Sequence, residues 1–147
     1  MGMIDCDLEE ARGRWEWPSF SPAEMACKGS GRVFVHSALL DKLEQLRAAV
    51  RVVPGFEQAV LPVTSGYRSP EHNAKVSSTG ADGPHTTGLA VDLQCSGQLA
   101  YLVVKCAIAL KFSGIGVSQK GPHEKRFIHL DLLPHGPNSP RPWLWTY

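Results

Sequence analysis

Pro84-His85-Thr86-Thr87-Gly88-Leu89-Ala90-Val91-Asp92-Leu93 decides how this chain is read, together with Phe127-Ile128-His129-Leu130-Asp131-Leu132. Seven positions separate His85 from Asp92, which on a helix would put both on one face. Pro84, Gly83 and Gly88 argue against a helix there. The stretch reads instead as a loop carrying His85, a turn at Gly88 and a strand over Leu89–Leu93. In that strand Leu89, Val91 and Leu93 face one way, Ala90 and Asp92 the other. The second stretch repeats the pattern, with Ile128, Leu130 and Leu132 on the apolar side and Phe127, His129 and Asp131 opposite.

If the two strands are neighbours in one sheet, His85, Asp92 and His129 converge above its polar face. Singly, each has an ordinary explanation: a loop histidine, a turn or capping aspartate. Together they form a donor set. An Asp inside a buried strand is costly unless it is paired or metal-bound. Two imidazoles and a carboxylate suit zinc, and three protein ligands leave a fourth position open for water, as in a catalytic site. One other metal pattern fails: His123-Glu124 opens like HExxH, but the next histidine, His129, lies six residues on rather than four.

The motif His85-Thr86-Thr87-Gly88-Leu89-Ala90-Val91-Asp92, followed by His129-Leu130-Asp131, resembles the zinc-ligand signature of the Hedgehog/D,D-peptidase superfamily. Its bacterial and phage members include D-alanyl-D-alanine carboxypeptidases and L-alanyl-D-glutamate endopeptidases. Ser65-Gly66-Tyr67-Arg68-Ser69 and Phe20-Ser21-Pro22-Ala23-Glu24-Met25-Ala26-Cys27 fit the same resemblance. It implies one zinc ion per chain on His85, Asp92 and His129, and peptide bonds of bacterial peptidoglycan as substrate. It also implies that Arg68 binds a substrate carboxylate or the developing oxyanion, a task suited to a planar, permanently charged fork. Ser65 and Tyr67 either line the cleft beside Arg68 or complete a strand.

The resemblance departs at the general base. Many relatives carry an acidic residue three positions before the last histidine ligand, where this chain has Arg126. Asp131, on the same strand face as His129, is the preferred candidate, and Glu124 in the preceding loop is second. Asp131 has another reading, as the partner that orients His129. A domain that binds zinc and serves only for recognition, or as a virion-associated module, is the alternative function.

The rest of the chain supports an α+β domain: a small, mostly antiparallel sheet backed by helices, with zinc on its open face. Ser21-Pro22-Ala23-Glu24 reads as a capping box opening a short helix that ends near Gly29 or Gly31. Ser37 is expected to cap the main amphipathic helix, whose stripe is Leu39, Leu40, Leu43, Leu46 and Val50. A strand is expected over Ala59–Tyr67, and a second helix from Ser69-Pro70-Glu71 to about Val76. Ser77–Pro84 then forms a mobile loop delivering His85. Ser96 caps a helix over Gly97–Leu110, Ile115–Ser118 is a short strand, and Arg141–Tyr147 is strand-like. There, Trp143, Trp145 and Tyr147 form a substrate wall or pack into the core. Residues 1–18 are expected to be an N-terminal arm and 19–147 the peptidase domain.

Composition narrows the classes. The 147 residues suit one domain with a real core. A net charge of +1 with no basic block gives no footprint for nucleic acid, and no apolar run approaches the roughly 20 residues of a membrane span. Met1–Glu10 is acidic and lacks the apolar core of a signal peptide. Cys6, Cys27, Cys95 and Cys106 form no CxxC pair and are expected to be reduced, with Cys95 structural rather than nucleophilic. The chain is therefore expected to be a monomer made in the cytoplasm. It would reach peptidoglycan stem peptides after release, in a phage or prophage lysis or virion setting.

Overall fold

A computed structural model describes residues 2–147. The chain forms β1 (Met3–Cys6), α1 (Leu8–Gly13), α2 (Pro22–Met25), β2 (Val33–His36), α3 (Ser37–Arg51), β3 (Val63–Ser65) and α4 (Pro70–Val76). It continues with a 3-10 turn (Pro84–Thr86), β4 (Ala90–Gln94), α5 (Gly97–Ala109) and β5 (Gly114–Ser118). A second 3-10 turn (His123–Lys125), β6 (Phe127–Asp131) and β7 (Trp143–Thr146) complete it. This is the expected α+β arrangement. The main sheet has the order β3-β4-β6-β5-β7, antiparallel except for the parallel β5–β7 pair.

Strands β4 and β6 are indeed neighbours, and their register pairs Asp92 with His129 and Ala90 with Asp131. Alternation then sends Val91, Leu93, Ile128 and Leu130 into one apolar core, all of them essentially without solvent exposure. Helices α3 and α5 close that face, α5 packing on both α3 and β6. The α3 stripe is Leu39, Leu40, Leu43, Leu46 and Val50, every one fully buried.

Several local expectations are corrected. The cap of α3 is His36 rather than Ser37: the His36 Nδ1 accepts the Ala38 N–H at 3.1 Å, and Ser37 is the first helical residue. Residues 33–36 are free to act as a strand because they pair with β1, a two-stranded sheet that the short segments did not announce. The strand expected over Ala59–Tyr67 shrinks to Val63–Ser65, because the chain leaves the sheet to let Tyr67 N–H donate to Met25 O at 3.0 Å. The Ser21/Glu24 capping box forms, but α2 stops at Met25, where Ala26 turns extended and Cys27 pairs with Arg32 and Gly31 instead. Ser96 sits at the start of α5 without a side-chain cap; its hydroxyl meets His123 Nδ1 at 3.1 Å.

Residues 2–18 lie against the rest of the chain, with Ile4, Cys6, Ala11 and Trp17 in the common core. All four cysteines are free. Burial pushes the Cys95 thiol up to about 12, which suits a packing residue and not a nucleophile. Among the described residues no helix is long and apolar enough to cross a membrane.

Leu43 sits at the centre of the α3 stripe with no exposure. Leu43→Ala is expected to cost about 2–5 kcal/mol of unfolding free energy, measured by urea denaturation with an unchanged m-value.

Candidate metal centre

His85 reaches the site from the Pro84–Thr86 turn, and Gly88 follows with φ of 75°, a left-handed conformation that glycine adopts freely. Its turn brings the chain back into β4, so that Asp92 lies beneath His85. The loop before it is not loose. Asn73, fully buried on α4, donates from Nδ2 to Thr79 Oγ1 at 2.8 Å and to Gly80 O at 2.5 Å. The sequence offered the loop as mobile; a buried amide ties its middle down.

The three candidate ligands come together and are buried, their donor atoms all within 4.8 Å of one another. Asp92 Oδ1 lies 3.2 Å from His85 Nε2 and 3.1 Å from His129 Nδ1. A tetrahedral zinc with bonds of about 2.0–2.1 Å separates its ligand atoms by roughly 3.3 Å, so these edges match. Elsewhere on each ring the proton is fixed. His85 Nδ1 is 2.8 Å from the Gly66 carbonyl, which can only accept, so Nδ1 carries the hydrogen. His129 Nε2 is 2.9 Å from Asp131 Oδ2 and donates to it.

Each neutral imidazole therefore aims a lone pair at the same carboxylate oxygen. That arrangement requires positive charge in the middle: protons on both rings, or a cation. Burial alone would raise the Asp92 pKa, yet its contacts with His129 and His85 hold it well below the usual carboxylate range. Burial would lower the His129 pKa, but Asp131 and Asp92 outweigh it and raise it. A divalent ion meets the same electrostatic demand while leaving both rings neutral, so these residues fit zinc.

Arg68 lies beside this centre, its Nη2 3.6 Å from Asp92 Oδ2. Its fork is held by Ser65 Oγ at 3.1 Å from Nε and Asn73 Oδ1 at 3.2 Å from Nη1. Ser65 thus serves Arg68, while the Tyr67 ring packs against Phe34 with centroids 5.1 Å apart. Neither Ser65 nor Tyr67 lines the cavity of about 510 Å³ over the metal ligands. Its walls come from Arg68, the Val76–Thr79 segment, Phe127, Trp145 and Tyr147. Trp143 does not line this cavity and is half exposed.

Asp131 was expected to face a water on the metal. It lies instead on the far side of the His129 ring from Asp92, with no exposure. Its Oδ1 accepts from Arg141 Nε at 2.9 Å and Leu133 N–H at 3.2 Å, its Oδ2 from His129 and from Arg141 Nη2 at 2.8 Å. Burial would raise its pKa, but His129 and Arg141 bring it down to about 2. Glu124 is exposed in the 3-10 turn and does not line the cavity.

Sequence reading offered Trp145 as a wall residue but missed Arg141 and Asn73. Arg141 arrives from the segment just before β7, where nothing local ties it to a histidine twelve positions away. Asn73 had one legible sign, a polar residue on a helix face that has to be buried.

No curated protein and no solved structure matches the chain. The family Peptidase M15 matches residues 18–131, a span that holds every candidate metal ligand. With that span covering most of the sequence, and with the His-Asp-His group buried where zinc fits, the chain belongs to the Peptidase M15 family of zinc peptidases.

Proposed function

We propose that this protein hydrolyses a peptide bond in the stem or cross-link of bacterial peptidoglycan, with one zinc ion held by His85, Asp92 and His129. The observation carrying this is the pair of imidazole lone pairs directed at one buried carboxylate oxygen, in a cavity open on one side. Zinc bound there polarises the scissile carbonyl and makes water a competent nucleophile near neutral pH. Gly66 O and Asp131 take the distal ring hydrogens of His85 and His129, which leaves the other ring nitrogen of each with a lone pair toward the metal site.

Arg68, pinned by Ser65 and Asn73, holds its charge at the cavity wall. It binds a stem-peptide carboxylate or the oxyanion that forms as the carbonyl is attacked. Trp145 and Tyr147 give the peptide an apolar wall. Asp131 has two donors on each oxygen and no capacity left for a proton carrier. The reading therefore assigns that role to Glu124, which lies outside the cavity lining on the exposed turn three residues before Phe127 and would have to reach in from there. A cytoplasmic chain released onto the wall during phage or prophage lysis would meet this substrate.

A recognition module that binds zinc without catalysis is favoured by one feature, Arg126 standing where relatives carry an acid. Activity separates the two readings.

After dialysis with zinc, elemental analysis is expected to find one zinc per wild-type chain. His85→Ala and Asp92→Asn should hold less than a tenth of that while keeping the wild-type far-UV spectrum. Purified sacculi incubated with zinc-loaded protein should release fragments, and chelation should stop the release. Mass spectrometry identifies the bond: free D-alanine marks a carboxypeptidase, released stem peptides an endopeptidase. Glu124→Gln should slow release by about 10²- to 10⁴-fold with zinc content unchanged. Intact sacculi after treatment with fully zinc-loaded wild type would refute the peptidase and leave the recognition module.

A further inference from the structure

We infer that Arg141 is a positioning residue of the metal centre: acting through Asp131, it fixes the plane and tautomer of His129 so that Nδ1 faces the metal. This inference rests on the zinc reading above and adds to it a part of the chain outside the span matched by the family. Four observations carry it.

First, an imidazole has two nitrogens, and only the one without hydrogen can coordinate. Nδ1 of His129 points to Asp92, so the hydrogen must stay on Nε2, and Asp131 Oδ2 at 2.9 Å is its acceptor. Second, Asp131 is wholly buried, and an unpaired carboxylate there would carry a large desolvation cost. Arg141 closes a bidentate fork on it, at 2.9 and 2.8 Å, with a side chain only 7% exposed. Because guanidinium does not deprotonate, Asp131 remains a fixed acceptor.

Third, β5 is hollowed to admit these groups. Gly114 pairs with Asp131 and Gly116 with His129. A Cβ on Gly114 would run into the Asp131 carboxylate, and one on Gly116 would come within 2.7 Å of the Trp145 indole. Fourth, Trp145 fills the second hollow. Its ring centroid lies 5.0 Å from that of His129, and Arg141 Cζ lies 5.4 Å from the indole centroid. The His129 ring is therefore held at its edge by Asp131 and on its side by Trp145, with Arg141 touching both holders.

The rival explanation is that Arg141 and Asp131 merely fasten the last segment to β6. A stability measurement alone would not separate the two, so the readouts are zinc affinity and the histidine tautomer. Wild type, Arg141→Gln, Arg141→Lys, Asp131→Asn and the core variant Leu43→Ala are compared as full chains. Zinc affinity is read by competition with a chromogenic chelator, apo stability by thermal unfolding, and the His129 tautomer by ¹⁵N-histidine NMR.

The expected result is zinc binding weakened roughly 10- to 100-fold in Arg141→Gln and Asp131→Asn. Arg141→Lys, which offers a point charge without the fork, should fall between them and wild type. Leu43→Ala should lose stability and keep its zinc affinity within about threefold, excluding destabilisation as the cause. Zinc-bound wild type should show His129 with hydrogen on Nε2.

Wild-type affinity in both Arg141→Gln and Asp131→Asn, with stability alone reduced, would overturn the inference and leave the zinc site intact. So would a zinc-bound wild type whose His129 carries its hydrogen on Nδ1, a result that stands even if Arg141→Gln does not fold. Wild type that takes up no zinc would instead remove the metal reading, and this inference with it.

Discussion

Asp92 is a carboxylate buried in the second strand of a five-stranded sheet, and the structure is arranged around making that burial tolerable. An isolated charge there would cost several kcal/mol even after relaxation. The sheet answers with two imidazoles, one from the turn before β4 and one from the paired position on β6, and with Arg68 on the remaining oxygen. Both imidazoles have their distal hydrogens committed elsewhere. What is left between them is a place where positive charge is electrostatically required, and a dication satisfies it without charging either ring.

Around that demand the molecule divides into two halves with different chemistry. Below the sheet, Val91, Leu93, Ile128 and Leu130 join the α3 and α5 stripes in a dry core that sets strand register. Above it, polar groups are linked in chains: Gly66 to His85 to Asp92, Asp92 to His129 to Asp131 to Arg141, and Arg68 to Asn73 to Thr79. No buried side-chain polar atom among the described residues lacks a partner. Such saturation is what holds a small site to geometry, because any shift breaks hydrogen bonds that water cannot replace.

The same saturation assigns roles. A residue whose oxygens already accept four donors cannot also relay a proton, so Asp131 belongs to the support of His129. Under the proposed function, proton transfer falls to a side chain with free capacity, and Glu124 on the exposed turn before β6 is the one proposed. Loops provide such residues more readily than strands, since their side chains keep contact with water.

Sequence alone brought out the candidate ligands and the strand faces that carry them. Period-two alternation in Leu89–Leu93 and Phe127–Leu132 assigned each side chain to a face, and the β4–β6 register then set Asp92 opposite His129. The α3 stripe and the Ser21/Glu24 and Ser69 caps were legible for a similar reason: their signals lie within a few residues. Tertiary structure decided what depends on distant partners. Nothing local couples Met3–Cys6 to Val33–His36, so β1 and β2 were invisible, and with them the cap at His36. The strand end expected at residues 66–67 gave way to the link between Tyr67 and Met25, and residue 59 is held in a turn by its N–H bond to Phe56 O. Whether Asp131 faces the cavity or the interior turned on Arg141, ten residues away, and on two glycines in β5 that leave room for the carboxylate and the indole. Alternation along a strand tells which face a side chain takes, but only packing tells what already occupies that face.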